Sequence, residues 1–253
     1  MSAYGPLAEF YDRLTEDVNY PELFGFLRRL WADVQPRRVL DMACGTGSLS
    51  MLMAEAGLDV VGMDLSPDMI ARAREKAGGC ADAPPEFLVG DMGDFRLSVP
   101  VDAAVCMLDS FNYLLDPADG VQALRCFYDG LRPGGMLIYD IRPRRQLMAF
   151  DGQVFLDETE DVCCLWRTEF DREENLCFYG MDIFIRESEN LWRREREEHW
   201  EYAYRLRWLR MQMERIGFRD IRFYGNRTLT APGSRENRVF ITGRKEDPHC
   251  LTS

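Results

Sequence analysis

Three short apolar strands of this chain each run into an acid. Val39-Leu40-Asp41-Met42 leads into Ala43-Cys44-Gly45-Thr46-Gly47-Ser48, the pattern of a buried strand, a glycine-bent turn and a helix. Without side chains at Gly45 and Gly47, such a turn can lie directly against a nucleoside. Leu58 to Asp64 forms a second strand, and its terminal carboxylate can accept hydrogen bonds from both hydroxyls of a ribose. Glu86-Phe87-Leu88-Val89 is a third, followed by Gly90-Asp91-Met92. Acids at these places stand at the C-terminal edge of an open α/β sheet, where such sheets bind ligands. That edge would repel a pyrophosphate, and the dinucleotide fingerprint G-x-G-x-x-G fails at its third glycine, where Ser50 stands.

Asp41 to Gly47, Asp64, Asp91-Met92 and the later Leu131-Arg132-Pro133-Gly134-Gly135-Met136-Leu137 occur in one order along the chain. In these motifs, and over nearly its whole length, the chain resembles the class I S-adenosylmethionine-dependent methyltransferases. The resemblance implies S-adenosyl-L-methionine as cofactor and a cofactor site made of Tyr11, Asp41, Ala43, Cys44, Gly45, Gly47, Asp64, Leu65, Asp91, Met92 and Leu108. By the family's pattern Asp41 orders the glycine loop, the backbone of Ala43 to Gly47 meets the methionine part, Asp64 the ribose and Asp91-Met92 the adenine. The segment Tyr4 to Asp12 is similar to the lid entry of many small-molecule methyltransferases; there Tyr11 either reaches the cofactor's carboxylate or packs. A NAD-dependent oxidoreductase is the rival, but it leaves Asp91 and the Pro-Gly-Gly turn without a purpose. A non-catalytic S-adenosylmethionine-binding module would carry the same loop.

The elements that must place these residues follow from periodicity and turn chemistry. Pro6 and Pro21 fit first helical turns for Leu7 to Leu14 and Glu22 to Val34. Strands at Arg38 to Met42, Asp59 to Met63, Glu86 to Val89, Ala103 to Met107 and Met136 to Ile141 alternate with helices at Ser48 to Ala56, Pro67 to Lys76 and Pro117 to Leu131, which predicts a parallel sheet. After Asp140 the period changes. Gln153 to Asp157, Val162 to Phe170, Leu176 to Arg186 and Leu191 to Tyr204 read as an antiparallel meander. Helix Leu206 to Ile216 and strands Phe218 to Tyr224 and Arg238 to Thr242 resume the first pattern. The expected fold is a Rossmann-like α/β sheet of seven strands, mostly parallel with the last antiparallel, plus an inserted antiparallel β domain over the substrate site. The expected division is 1–143 with 205–246 for cofactor binding and 144–204 for the insertion.

Composition narrows the chemistry. With 253 residues, 46% of them hydrophobic and 29% charged, the chain is ordinary for a soluble globular protein. It lacks an apolar run long enough to span a membrane and a signal-like N-terminus, so a cytoplasmic location is expected. The net charge of −12 disfavours nucleic acid as a partner, because that affinity rests on neutralising phosphates. The eight cysteines show no C-x-x-C spacing, which points to reduced thiols and no metal. Oligomeric state is left open, a homodimer among the options.

Methyl transfer from a sulfonium is an in-line displacement governed by alignment in a dry pocket, and a base is needed only for an acceptor that arrives protonated. The expected acceptor is a small polar or amine-bearing molecule, methylated on nitrogen or oxygen. Its site should lie beyond the fourth strand, at Leu108-Asp109-Ser110-Phe111-Asn112-Tyr113. There either Asp109, Asn112 and Tyr113 meet the ligands, or Asp109 and Ser110 simply cap the turn and Phe111 is core. His199 and Tyr113 are the candidates for catalysis. His199 suits a base near neutral pH, yet alternation puts it on one face with Arg193, Glu195, Glu197 and Glu201, which argues for solvent. Tyr20 and Arg142 are weaker candidates, Arg142 because it follows the fifth strand and would face the same cleft. His249, in the tail, is expected to have no role.

Overall fold

A computed structural model gives the fold, and the structure describes residues 8, 10–15, 17–79 and 83–247. The expectations for residues 4 to 7, Cys80, His249 and Cys250 lie outside these. Helices α1 (Tyr11–Leu14) and α2 (Tyr20–Leu30) come first. Helix α2 starts where the Asn19 side chain accepts a hydrogen bond from the Glu22 amide, with Pro21 in its first turn. Its Leu23, Phe26, Leu27 and Leu30 form the buried face, and Phe26 meets Phe240 edge to face at 4.9 Å.

The alternating region then supplies β1 (Arg38–Met42), α3 (Ser48–Glu55), β2 (Asp59–Asp64), α4 (Pro67–Ala77), β3 (Glu86–Val89), β4 (Val101–Cys106), α5 (Pro117–Gly130) and β5 (Leu131–Ile141). A short helix, α6 (Arg144–Ala149), follows, which periodicity does not reveal because it has fewer than two turns. Next come β6 (Val154–Glu158), β7 (Val162–Asp171), β8 (Leu176–Ser188) and β9 (Leu191–Tyr202), then α7 (Leu206–Ile216), β10 (Phe218–Tyr224) and β11 (Val239–Lys245).

Seven strands form one sheet in the order β10, β11, β5, β4, β1, β2, β3. β1 pairs parallel with both β2 and β4, whereas β11 pairs antiparallel with β5 and β10. Strands β1, β2, β4 and β5 are buried nearly throughout, as expected for a parallel sheet covered on both faces. The Pro-Gly-Gly turn is looped out of the ladder: β5 pairs Leu131 with Val101 and resumes at Met136 opposite Ala103. A separate antiparallel sheet runs β6, β7, β8, β9. Its inner face carries Val162, Cys164, Met181, Ile183 and Ile185, packed with Phe10 from beside α1. Among the described residues no helix is long and apolar enough to cross a membrane, and no group of three His, Cys, Asp or Glu side chains could hold a metal.

Phe26 is wholly buried between α2 and β11. Phe26→Ala should lower unfolding stability by about 3–5 kcal/mol through lost transfer energy and a residual cavity. Urea melts that differ by less than ~1 kcal/mol would show that this layer does not pack as described.

Candidate active site

The site begins where β1 and β2 end side by side. Ala43 and Gly45 both adopt left-handed backbone, φ 57° and 55°, which turns consecutive amides away from the sheet. Cys44 N donates to Met63 O at 3.0 Å. Gly45 N donates to Asp64 Oδ2 at 2.8 Å, and Ser66 N to Asp64 Oδ1 at 2.9 Å. Each carboxylate oxygen of Asp64 thus spends one lone pair on backbone and keeps a second for a ligand donor. Burial pushes the Asp64 carboxyl up, against the pull of the Ser66 and Gly45 amides. Asp41 lies deeper and accepts from Ser50 Oγ at 2.5 Å. Burial, partly offset by Ser50 and reinforced by the charge of Asp64, pushes its carboxyl up to about 7. Ser50 is therefore the partner of Asp41, which accounts for the missing third glycine.

A cleft of about 530 Å³ opens at this edge, lined by Tyr11, Ala43, Gly45, Asp64, Leu65, Asp91 and Met92 together with Ser110, Tyr113 and Leu114. Beside it a recess of about 30 Å³ shares Tyr11, Ala43, Gly45 and Ser110 and adds Tyr20, Asp41, Cys44 and Leu108. Ten of the eleven expected cofactor residues line one or the other. Gly47 does not. A Cβ there would stand 2.5 Å from Phe87 Cζ and 3.2 Å from Ala73 Cβ, so this glycine lets α3 pack against β3 and α4, a packing reason for a bare backbone beside the expected ligand contact. Sequence reading also passed over Ser66, Pro67 and Met69 at the start of α4, and Gly90; the Ser66 cap and Pro67 were visible signals of a helix end facing the edge.

Beyond β4 the chain turns through Leu108 and Asp109, both left-handed at φ 58° and 56°. Asp140 in β5 holds them, accepting from Leu108 N at 2.7 Å and Asp109 N at 3.1 Å. The Asp109 side chain caps nothing; it pairs with Arg142 at 2.9 Å and Arg238 at 2.5 Å. Arg142 is thereby committed to a buried ion pair and lies outside the residues lining the cleft, contrary to expectation. Asn112 is structural too: its side chain accepts from Arg142 N and donates to Tyr202 O at 2.9 Å. Tyr113 does line the cleft.

Known proteins share this arrangement. Residues 39–135 match the family model described as a methyltransferase domain. The chain is 28% identical over 245 residues to a putative methyltransferase, YqeM, of Bacillus subtilis (strain 168), covering 96% of this chain and 97% of that one. A solved structure of an S-adenosylmethionine-dependent methyltransferase from Clostridium acetobutylicum superimposes with a TM-score of 0.84 at 24% identity, over 96% of this chain and 99% of that one. Residues 39–135 thus match a methyltransferase domain, and over nearly its whole length the chain has the fold of the solved methyltransferase structure. A glycine/sarcosine N-methyltransferase of Parasynechococcus marenigrum is 36% identical over 146 residues, 54% of this chain and 50% of that one. The cleft suits a nucleoside-sized ligand: its volume of about 530 Å³ lies in the range of small-molecule sites, with the bare Gly45 backbone and the remaining lone pairs of Asp64 at its wall.

Helix α1 forms a strap across the glycine turn. Asp12 accepts from Thr46 Oγ1 at 2.5 Å and pairs with Lys76 at 2.7 Å. Burial pushes its carboxyl up, but Lys76, Thr46 and Ser48 outweigh that and hold it below the usual carboxylate range. Its neighbour Arg13 reaches Asp161 beside β7 at 3.2 Å, so one turn of helix touches both sheets, and Tyr11 between them lines the cleft.

His199 lies in β9 on the face that the period of two assigns, with Arg193, Glu195, Glu197 and Glu201; Arg193 on that face is exposed and Glu195 half-buried, but the end that carries His199 and Glu201 is buried. His199 is 3% and Glu201 2% exposed, because this end of β9 packs against the Ser110–Tyr113 turn. His199 Nε2 lies 3.0 Å from Glu197 Oε2, and its ring meets Tyr113 edge-on at 5.8 Å.

Asp41 provides a test. Its carboxyl is raised from 3.8 to about 7, so the folded state binds a proton that the unfolded chain has released. The stabilisation this gives is whole below about pH 4 and is lost as pH rises through about 7. Asp41→Asn should flatten that decline, and the variant should gain on the wild type by on the order of 1–4 kcal/mol between pH 4 and 8. Urea titrations at both pH values giving the same difference between the two proteins would contradict the assignment.

Proposed function

We propose that this protein methylates a nitrogen of a small polar, amine-bearing molecule, with Asp64, Asp91 and the Ala43 to Gly45 backbone holding S-adenosyl-L-methionine as cofactor. The observation that carries the cofactor half is Asp64: its two oxygens each take one backbone amide and face the cleft with a lone pair to spare. Charge-assisted hydrogen bonds to the two ribose hydroxyls complete that set. Leu65, 65% exposed at the rim, and Met92 offer apolar contact to a base, and Asp91 a polar one. Tyr11, brought in by the α1 strap, covers the end near the Gly45 turn.

When bound, S-adenosyl-L-methionine supplies an electrophilic methyl group on a positively charged sulfur. The protein has to align an acceptor with it and exclude water. Ser110, Tyr113 and Leu114 form the part of the cleft wall suited to that task, and the β6 to β9 sheet, the unit proposed for residues 144–204, backs it through the His199 contact with Tyr113. Similarity to a glycine/sarcosine N-methyltransferase and the acidic lining of the cleft favour an amine as acceptor.

Calorimetry tests the cofactor half. Asp64→Ala should weaken S-adenosyl-L-methionine binding by about 1.5–3 kcal/mol, and Gly45→Val, which puts a branched side chain at a left-handed position facing the cleft, should abolish it. Undiminished affinity in both variants would overturn the site. For the acceptor half, small amines incubated with labelled cofactor should become methylated, and labelling only of hydroxyl acceptors would reject nitrogen.

A further inference from the structure

Behind the Ser110 to Tyr113 wall lies a buried group of charges with one acid more than its bases. Asp109, Asp140 and Glu201 supply three carboxyls; Arg142 and Arg238 supply two guanidiniums. Arg238 pairs with both Asp109 and Asp140, and Arg142 with Asp109. Every member but one has the partners its charge demands. Glu201 Oε2 is buried with no hydrogen-bond partner of its own, although the carboxyl is within hydrogen-bonding reach of Asp109 and Tyr179 and feels the charge of Arg142. A native fold rarely strands a buried acceptor of this kind, and such a group calls for an explanation.

The position of Glu201 supplies one. Tyr202, the next residue, is tied by Asn112 to the turn that lines the cleft. His199, two residues back on the same face of β9, stands edge-on to the cleft-lining Tyr113. The unpaired oxygen therefore belongs to the layer immediately behind the acceptor side of the cleft.

We propose that Glu201 receives the acceptor's amino group, arriving as an ammonium from the Ser110 to Leu114 side, and takes its proton. This rests on the amine reading above. An ammonium donor gives Oε2 a partner, and its charge balances the third acid once Glu201 has ionised. In the step that follows, one N–H bond breaks, its electron pair stays on nitrogen as the lone pair that will bond the methyl carbon, and the proton moves to Oε2, leaving a neutral amine and a carboxylic acid. Burial first, then the charge of Asp109, against the pull of Arg142, raises the Glu201 carboxyl to about 8, where it can hold a proton near neutral pH. The other titratable groups around it are Tyr179 and Cys177 on β8, Glu197 and His199 on β9, and Asp109, Arg142 and Arg238 from the seven-stranded sheet's side.

Sinefungin, an analogue that carries a primary amine where S-adenosylmethionine carries its methylsulfonium, places an ammonium at the reacting end of the cofactor. Calorimetry on the full chain should show sinefungin binding at least tenfold tighter than S-adenosylhomocysteine. The preference should grow between pH 6 and 8.5 as Glu201 ionises. Glu201→Gln should remove the preference and its pH dependence while leaving S-adenosylhomocysteine affinity within twofold, and Glu201→Asp should keep a part of it. A merely structural Glu201 would lower both affinities together, which would overturn the proposal, as would an equal preference in wild type and E201Q. If E201Q does not fold, the wild-type series decides alone, and a preference that stays flat with pH refutes the assignment. Failure of wild type to bind either nucleoside would instead remove the cofactor reading on which this one stands.

Discussion

At its C-terminal edge a parallel sheet leaves backbone amides pointing out of the ladder, and in this protein carboxylates from neighbouring strands take them up. Asp64, at the end of β2, accepts the amides of Gly45 and Ser66 and so binds the turn after β1 to the start of α4. Asp140 on β5 does the same for Leu108 and Asp109 after β4. Without those acceptors the left-handed residues at 43, 45, 108 and 109 would carry their conformational cost uncompensated. The cleft is the space between these two clamped turns.

The same carboxylates set the electrostatics of the site. Burying an acid raises its pKa unless charge or hydrogen bonds oppose it, and the outcome here varies with the partners at hand. Asp109, between two arginines, is held low; Asp41, with only a serine, rises to about 7. Asp12, on the surface strap, is held low by Lys76 and the hydroxyls of the glycine turn. One edge of one sheet thus carries acids in several protonation regimes, and which acids meet a ligand depends on which have lone pairs left after the backbone is served.

The second sheet joins this arrangement from outside. Phe10 enters its apolar face, Arg13 pairs with Asp161, and Asp12 grips the glycine turn. Four consecutive residues therefore tie the α1 strap both to the glycine turn and to the four-stranded sheet. The outer face is occupied with its own charges, Asp182 meeting Arg167, Arg194 and Arg196, so the arginine-rich stretch of β9 forms cross-strand pairs as a solvated strand would.

Local sequence determined the strands, the glycine turn and the order of the acids, because period, turn chemistry and the C-terminal edge rule are properties of a few adjacent residues: β1, β3 and α7 have the bounds that the sequence predicts. It also determined that His199, Glu197 and Glu201 share a face. Which part of that face is covered was decided by the packing of β9 against the Ser110–Tyr113 turn, a contact between residues far apart in the chain, and so the His199–Glu201 end of a face that reads as solvated is buried. The same holds for Gly47, whose need for a bare backbone comes from the Phe87 ring, and for Arg142, which Asp109 draws into an ion pair. Periodicity specifies a surface; only packing specifies its neighbour.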